Sequence, residues 1–101
     1  MSEDGNFDVN AAFRRLRALD RVLQDRKVNK DDRATMLINA CIDVGFTAGP
    51  RITGALHTIG LNKRHAGMRL MAGLQVEPVW PYWGRREDGT YFVPPTPETE
   101  Q

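Results

Sequence analysis

Apolar residues recur along most of this chain at the spacing of a helix face, and near its end the spacing changes to that of strands. Val9, Phe13, Leu16, Leu19 and Leu23 fall three or four residues apart, with Arg14, Arg15, Arg17, Asp20 and Arg21 between them. That pattern predicts an amphipathic helix over residues 9–27, with one face packed and the charged positions on the other. Asn29 is a good N-cap, and Asp31 and Asp32 follow where negative charge complements the dipole of a second helix. Its apolar stripe is Ala34, Leu37, Ile38, Cys41 and Val44; Gly45 ends it, and Phe46 is the hydrophobic residue that closes such a cap.

Proline is tolerated in the first turn of a helix, so Pro50 predicts a short third helix over 50–58 that buries Ile52, Ala55, Leu56 and Ile59. Gly60 breaks it, Leu61 points inward, and Asn62 caps a fourth helix over 63–73 with Ala66, Leu70 and Leu74 toward the core. Beyond Val76 the runs 79–85 and 90–93 flank Glu87, Asp88 and Gly89, and aspartate-glycine between aromatic and β-branched residues is a hairpin signal. Pro81 cannot donate to a ladder and belongs on the open side of an edge strand. Trp80, Tyr82, Trp83, Tyr91 and Phe92 are more large aromatics than one face of a small hairpin can bury, so two or three are expected in the core and the rest exposed. The expected fold class is mainly α with a small β-hairpin, four helices followed by the hairpin. A chain of 101 residues has room for one core, expected over 9–93, between a flexible acidic tail at 1–8 and a flexible Pro-rich acidic tail at 94–101.

Composition narrows the function classes. With 41% hydrophobic and 27% charged residues the chain has the balance of an ordinary folded domain. No apolar run approaches the ~20 residues of a membrane span, and the first residues are acidic where a secretory signal is basic and then apolar, so a cytoplasmic, nucleoid-associated location is expected. The single Cys41 has no partner for an internal disulfide, and neither His57 nor His65 lies near it at a metal-ligand spacing. No paired acid and base accompany a nucleophile and no phosphate-cradling glycine loop is present. A non-enzyme without cofactor, metal or small-molecule ligand is the expectation.

The net charge of +1 hides an uneven distribution. Residues 10–30 carry seven bases against two acids, and residues 47–86 carry Arg51, Lys63, Arg64, Arg69, Arg85 and Arg86 against Glu77 alone. The stretches 1–9, 31–46 and 87–101 are acidic. Two basic blocks between acidic segments can hold an anion-binding surface on a nearly neutral molecule.

One of those blocks contains Ile59, Gly60, Leu61, Asn62, Lys63, Arg64, His65, Ala66, Gly67, Met68, Arg69 and Leu70, which resembles the turn and recognition helix of the helix-turn-helix family. In that family an apolar residue ends the positioning helix, a glycine makes the turn, a second apolar residue plugs the core and a polar residue caps the next helix. Ile59, Gly60, Leu61 and Asn62 stand in that order; Ala66 and Leu70 fit the packed positions that follow, and Ala55 the small residue where the helices approach. With two preceding helices and a following hairpin, the chain resembles a winged helix-turn-helix over most of its length. It departs from the pattern in the glycine- and proline-rich stretch Thr47, Ala48, Gly49 and Pro50, and in Gly67, which costs about 1 kcal/mol in a helix interior.

The resemblance implies double-stranded DNA as partner, with the helix at 63–73 in the major groove, and a homodimer on a palindromic or repeated site, as expected of a small transcriptional regulator of bacterial, phage or plasmid type. Lys63 and Arg64 would donate to guanine or phosphate, Met68 would touch a thymine methyl, Gly67 would allow close backbone approach and His65 would bond a base or phosphate. Asn62 and the free N–H groups at the helix start would hold a phosphate, the hairpin would bring Arg85 and Arg86 to the adjacent backbone or minor groove, and Thr47, Arg51 and Arg69 complete the expected DNA-contacting set.

Plainer roles stand beside these. Lys63 and Arg64 are otherwise a solvated helix start, although cations there oppose the dipole. His65 and Met68 are otherwise packing residues, Gly67 relieves crowding between helices, and Arg85 and Arg86 guard an edge strand. The Arg14, Arg17 and Arg21 stripe reads first as a solvated face. Two other functions fit the same features: a winged helix that binds an acidic protein partner, and a non-specific architectural DNA binder.

Overall fold

The computed structural model describes residues 8–75 and 83–93. It is mainly helical, with four helices and a small antiparallel hairpin, as the periodicity predicts: α1 (Val9–Asp25), α2 (Lys30–Val44), α3 (Gly49–Thr58), α4 (Lys63–Ala72), a 3-10 turn at Gly73–Gln75, β1 (Gly84–Arg85) and β2 (Tyr91–Phe92). The helix starts follow their caps. Asp8, Asn29 and Asn62 each accept from a backbone N–H three residues on, at 3.1, 2.8 and 2.9 Å, while α3 relies on Pro50 in its first turn.

Three helices stop in the same way. Lys27, Gly45 and Gly60 adopt left-handed backbone, with φ of 58°, 114° and 112°. The next residue then donates back five positions: Val28 to the Leu23 carbonyl, Phe46 to Cys41 and Leu61 to Leu56, at 3.1, 2.8 and 2.9 Å. In each case that residue is apolar and turns into the core, so one cap both ends a helix and fixes the direction of the next. The cap at Lys27 is why α1 ends at Asp25, two residues before the periodicity suggests. Similarly, α3 starts one residue earlier than expected, at Gly49, and α4 gives way to the 3-10 turn at Gly73.

α2 lies centrally, packed on α1, α3 and α4, and α3 packs on α4. Leu16, Leu37, Ile38, Cys41, Ile52, Leu56 and Trp83 are fully buried between them. One expectation fails here: Asp20, read as part of the charged face of the first helix, is buried. Arg33 of α2 meets it with two hydrogen bonds, Nε to Oδ1 at 2.6 Å and Nη2 to Oδ2 at 3.1 Å, and Gln24 Nε2 donates to Oδ2 at 2.8 Å. The carboxylate tolerates burial because three donors replace its water.

The hairpin pairs Gly84 with Phe92 and Arg85 with Tyr91. Its tip is a turn from Arg86 to Gly89, closed by Gly89 N–H on the Arg86 carbonyl at 2.9 Å, with Gly89 at φ 91°. Among the described residues β1 is shorter than the run 79–85 suggests; Trp80, Pro81 and Tyr82 lie outside the described residues. Of the remaining hairpin aromatics Trp83 and Tyr91 are buried and Phe92 is half-buried. Trp83 Nε1 donates to the Leu70 carbonyl of α4 at 2.7 Å, and a Cβ at Gly73 would fall inside its ring. Tyr91 N–H donates to the Thr47 carbonyl at 2.8 Å, Ala48 bridges Thr90, and the Tyr91 ring lies over Gly49. The hairpin is thereby fixed to the start of α3 and to the end of α4 together. Among the described residues no helix is long and apolar enough to cross a membrane.

Candidate nucleic-acid interface

The start of α4 is the most exposed part of the segment that resembles a recognition helix. Lys63 and Arg64 are exposed, and Met68, one turn on, is 63% accessible. Asn62 Oδ1 occupies the His65 N–H, which leaves the N–H groups of Lys63 and Arg64 at the open end of the helix. Two cations on the positive end of a helix repel it, so this end carries an uncompensated positive field.

Helical geometry divides the other expected contacts of α4. His65 and Arg69, four residues apart, share the face against α2. His65 Nε2 lies 3.3 Å from Asp31 Oδ1, and Arg69 Nη2 donates to Thr35 Oγ1 at 3.3 Å. Ala66 and Leu70 face the core, and Gly67 faces α3, where a Cβ would meet only Thr53 Cγ2 at 4.0 Å. Ordinary contact distance means that crowding does not require glycine at this position.

Outside α4 the expected residues spread further. Thr47 is half-buried, and its carbonyl serves the hairpin ladder. The Arg51 guanidinium, on α3, sits 5.9 Å from the centroid of the Phe46 ring. Arg85 is exposed on β1, while Arg86 lies 4.7 Å from the Phe92 ring centroid and donates to Thr90 Oγ1 at 3.4 Å. Asp88 accepts from both the hydroxyl and the backbone N–H of Thr90, at 2.7 and 3.0 Å, and these bonds hold its carboxyl below the usual range. Arg86 therefore stands on a tip braced by its own side chains.

Two residues that sequence reasoning passed over join this surface. Lys30 and Arg33, from the start of α2, line a groove of about 330 Å³ together with Leu61, Asn62, Arg64 and Met68. Their proximity depends on how α2 crosses α4, which local patterning does not encode. Among the described residues no three His, Cys, Asp or Glu side chains group as metal ligands. Burial pushes the Cys41 thiol up to about 12, which makes it a poor nucleophile at neutral pH.

Compared with known protein families, with characterised proteins and with solved structures, the chain matches none.

Proposed function

We propose that the protein is a winged helix-turn-helix that binds double-stranded DNA sequence-specifically, as a small transcriptional regulator acting as a homodimer. The observation that carries this reading is the start of α4: Lys63, Arg64 and Met68 stand free of the core on a helix held by a glycine turn and an asparagine cap. A helix of that width fits the major groove, and its first turns meet base edges there. The hairpin supports the reading, because it is fixed to both helices of the motif and carries Arg85 and Arg86 outward. His65 and Arg69 act in this reading by holding α4 against α2, and not as base contacts.

Selection from a random duplex library tests it. A regulator yields one preferred sequence, and two half-sites at a fixed spacing reveal the dimer. On the selected site Lys63→Ala and Arg64→Ala are each expected to weaken binding about fivefold to a hundredfold and to relax the preference at one position. Unchanged binding by both variants across a salt titration overturns the reading, and binding without any preferred sequence replaces it with an architectural role.

A further inference from the structure

The Arg-rich first helix is a basic surface that this reading leaves unused, and its position relative to the turn before α4 gives it a use. Arg17 and Arg21 of α1 are exposed and line a groove of about 340 Å³ whose far wall is Ile59, the last residue before the Gly60 turn. The groove that holds Lys30 and Arg64 is lined by the turn itself, at Gly60, Leu61 and Asn62. The Asp20–Arg33 pair links the two: Asp20 borders the first groove and Arg33 the second. Two basic grooves thus border one turn, and the same turn presents the start of α4.

We propose that Arg17, Arg21 and Lys30 form a phosphate-binding rail, which holds the DNA backbone beside the groove entered by α4. The proposal rests on the DNA-binding reading of α4 and adds a second element to it. Arg17 and Arg21 are one turn apart, about 6 Å along the helix, and project from the same face. Within that groove Asp20 is neutralised by Arg33, so it does not repel a phosphate; Asp25 is the one opposing exposed charge among the residues that line it. Lys30, exposed in the first turn of α2, extends the rail past the turn toward Arg64. Phosphate contacts of this kind add affinity and register without adding base preference.

The test uses the full chain and the duplex selected by the wild-type protein, with binding followed by fluorescence anisotropy from low to moderate salt. Each phosphate contact adds about one unit to the slope of log affinity against log salt, so the Arg17→Ala/Arg21→Ala double variant is expected to lower the slope by about 2, and Lys30→Ala by about 1. The preferred sequence is expected to stay the same, and Arg17→Lys/Arg21→Lys to restore the slope. Circular dichroism and sedimentation accompany each variant; all three side chains are exposed, so folding is expected to persist. A wild-type slope in the double variant overturns the rail while leaving the α4 reading intact. Loss of the dimer with an unchanged slope per protomer also overturns it, and assigns the face to a partner copy. Failure of the wild-type chain to bind any duplex overturns both.

Discussion

Lys27 occupies left-handed backbone, at φ 58°, in a cap that Gly45 and Gly60 form at the next two helix ends. A side chain there costs about 1 kcal/mol that glycine avoids, and among the described residues the exposed Lys27 side chain makes no hydrogen bond or ion pair in return. Lys27→Gly is therefore expected to raise stability by roughly 0.5–1 kcal/mol, seen as a higher denaturant midpoint with unchanged slope. Gly67 is the opposite case, a glycine in ordinary helix with room for a methyl group beside Thr53. Gly67→Ala is expected to stabilise by up to about 1 kcal/mol. If Gly67 lets the backbone approach DNA, the same variant binds the selected duplex more weakly although it is more stable, and equal or tighter binding removes Gly67 from the interface. The sequence marks Gly67 as an oddity in mid-helix and Gly73 only as a helix end. Only the fold shows that Gly73 underlies the Trp83 ring, ten residues away, while Gly67 underlies nothing so close.

Among the elements, the α1–α2 pair holds the least expected interaction. Leu16, Asp20 and Leu23 share one face at helical spacing, so the burial of Asp20 was encoded in the pattern, although its charge placed it with the solvated residues. Its partner was not, because Arg33 is thirteen residues away on another helix and no local rule selects it from the other arginines. Removing Arg33 leaves Asp20 buried with Gln24 alone. Arg33→Ala is accordingly expected to cost roughly 3 kcal/mol, the low end for an unpaired buried charge since Arg33 is itself partly exposed. Equilibrium unfolding measures this, and Asp20→Asn in the same background is expected to recover part of the loss. The caps of α2 and α4 were legible residue by residue in Asn29 and Asn62, as were the stops at Gly45 and Gly60. The end of α1 was not, since lysine is a rare choice for left-handed backbone. His65 and Arg69 illustrate the limit for the site: their spacing puts them on one face, but whether that face meets DNA or α2 depends on the helix crossing.

At the scale of the whole molecule, α2 packs on the other three helices, and its Cys41 is fully buried in the core cluster to which all four helices and the hairpin contribute. Its thiol reports on the integrity of the complete core. Burial raises its pKa from 9.0 to about 12, so the folded state keeps the proton over a range in which the unfolded chain releases it. Between these values the folded state binds more protons, and stability falls as pH rises, by about 1.4 kcal/mol per unit at most. Below pH 9 the thiol is protonated in both states and contributes no slope. The stability curve measured by denaturant from pH 8 to 11 is expected to bend downward above 9, and Cys41→Ala, although less stable throughout, is expected to bend less than the wild type. Every other residue is common to both proteins, so the difference between the curves belongs to Cys41. At neutral pH a thiol-specific reagent is expected to label the folded protein only at the rate of core opening, and duplex DNA at saturating concentration is expected to slow that labelling by mass action. Labelling that proceeds at the rate of a free thiol would show that α2 opens without the rest of the fold, and would remove the basis for treating the four helices and the hairpin as one cooperative unit.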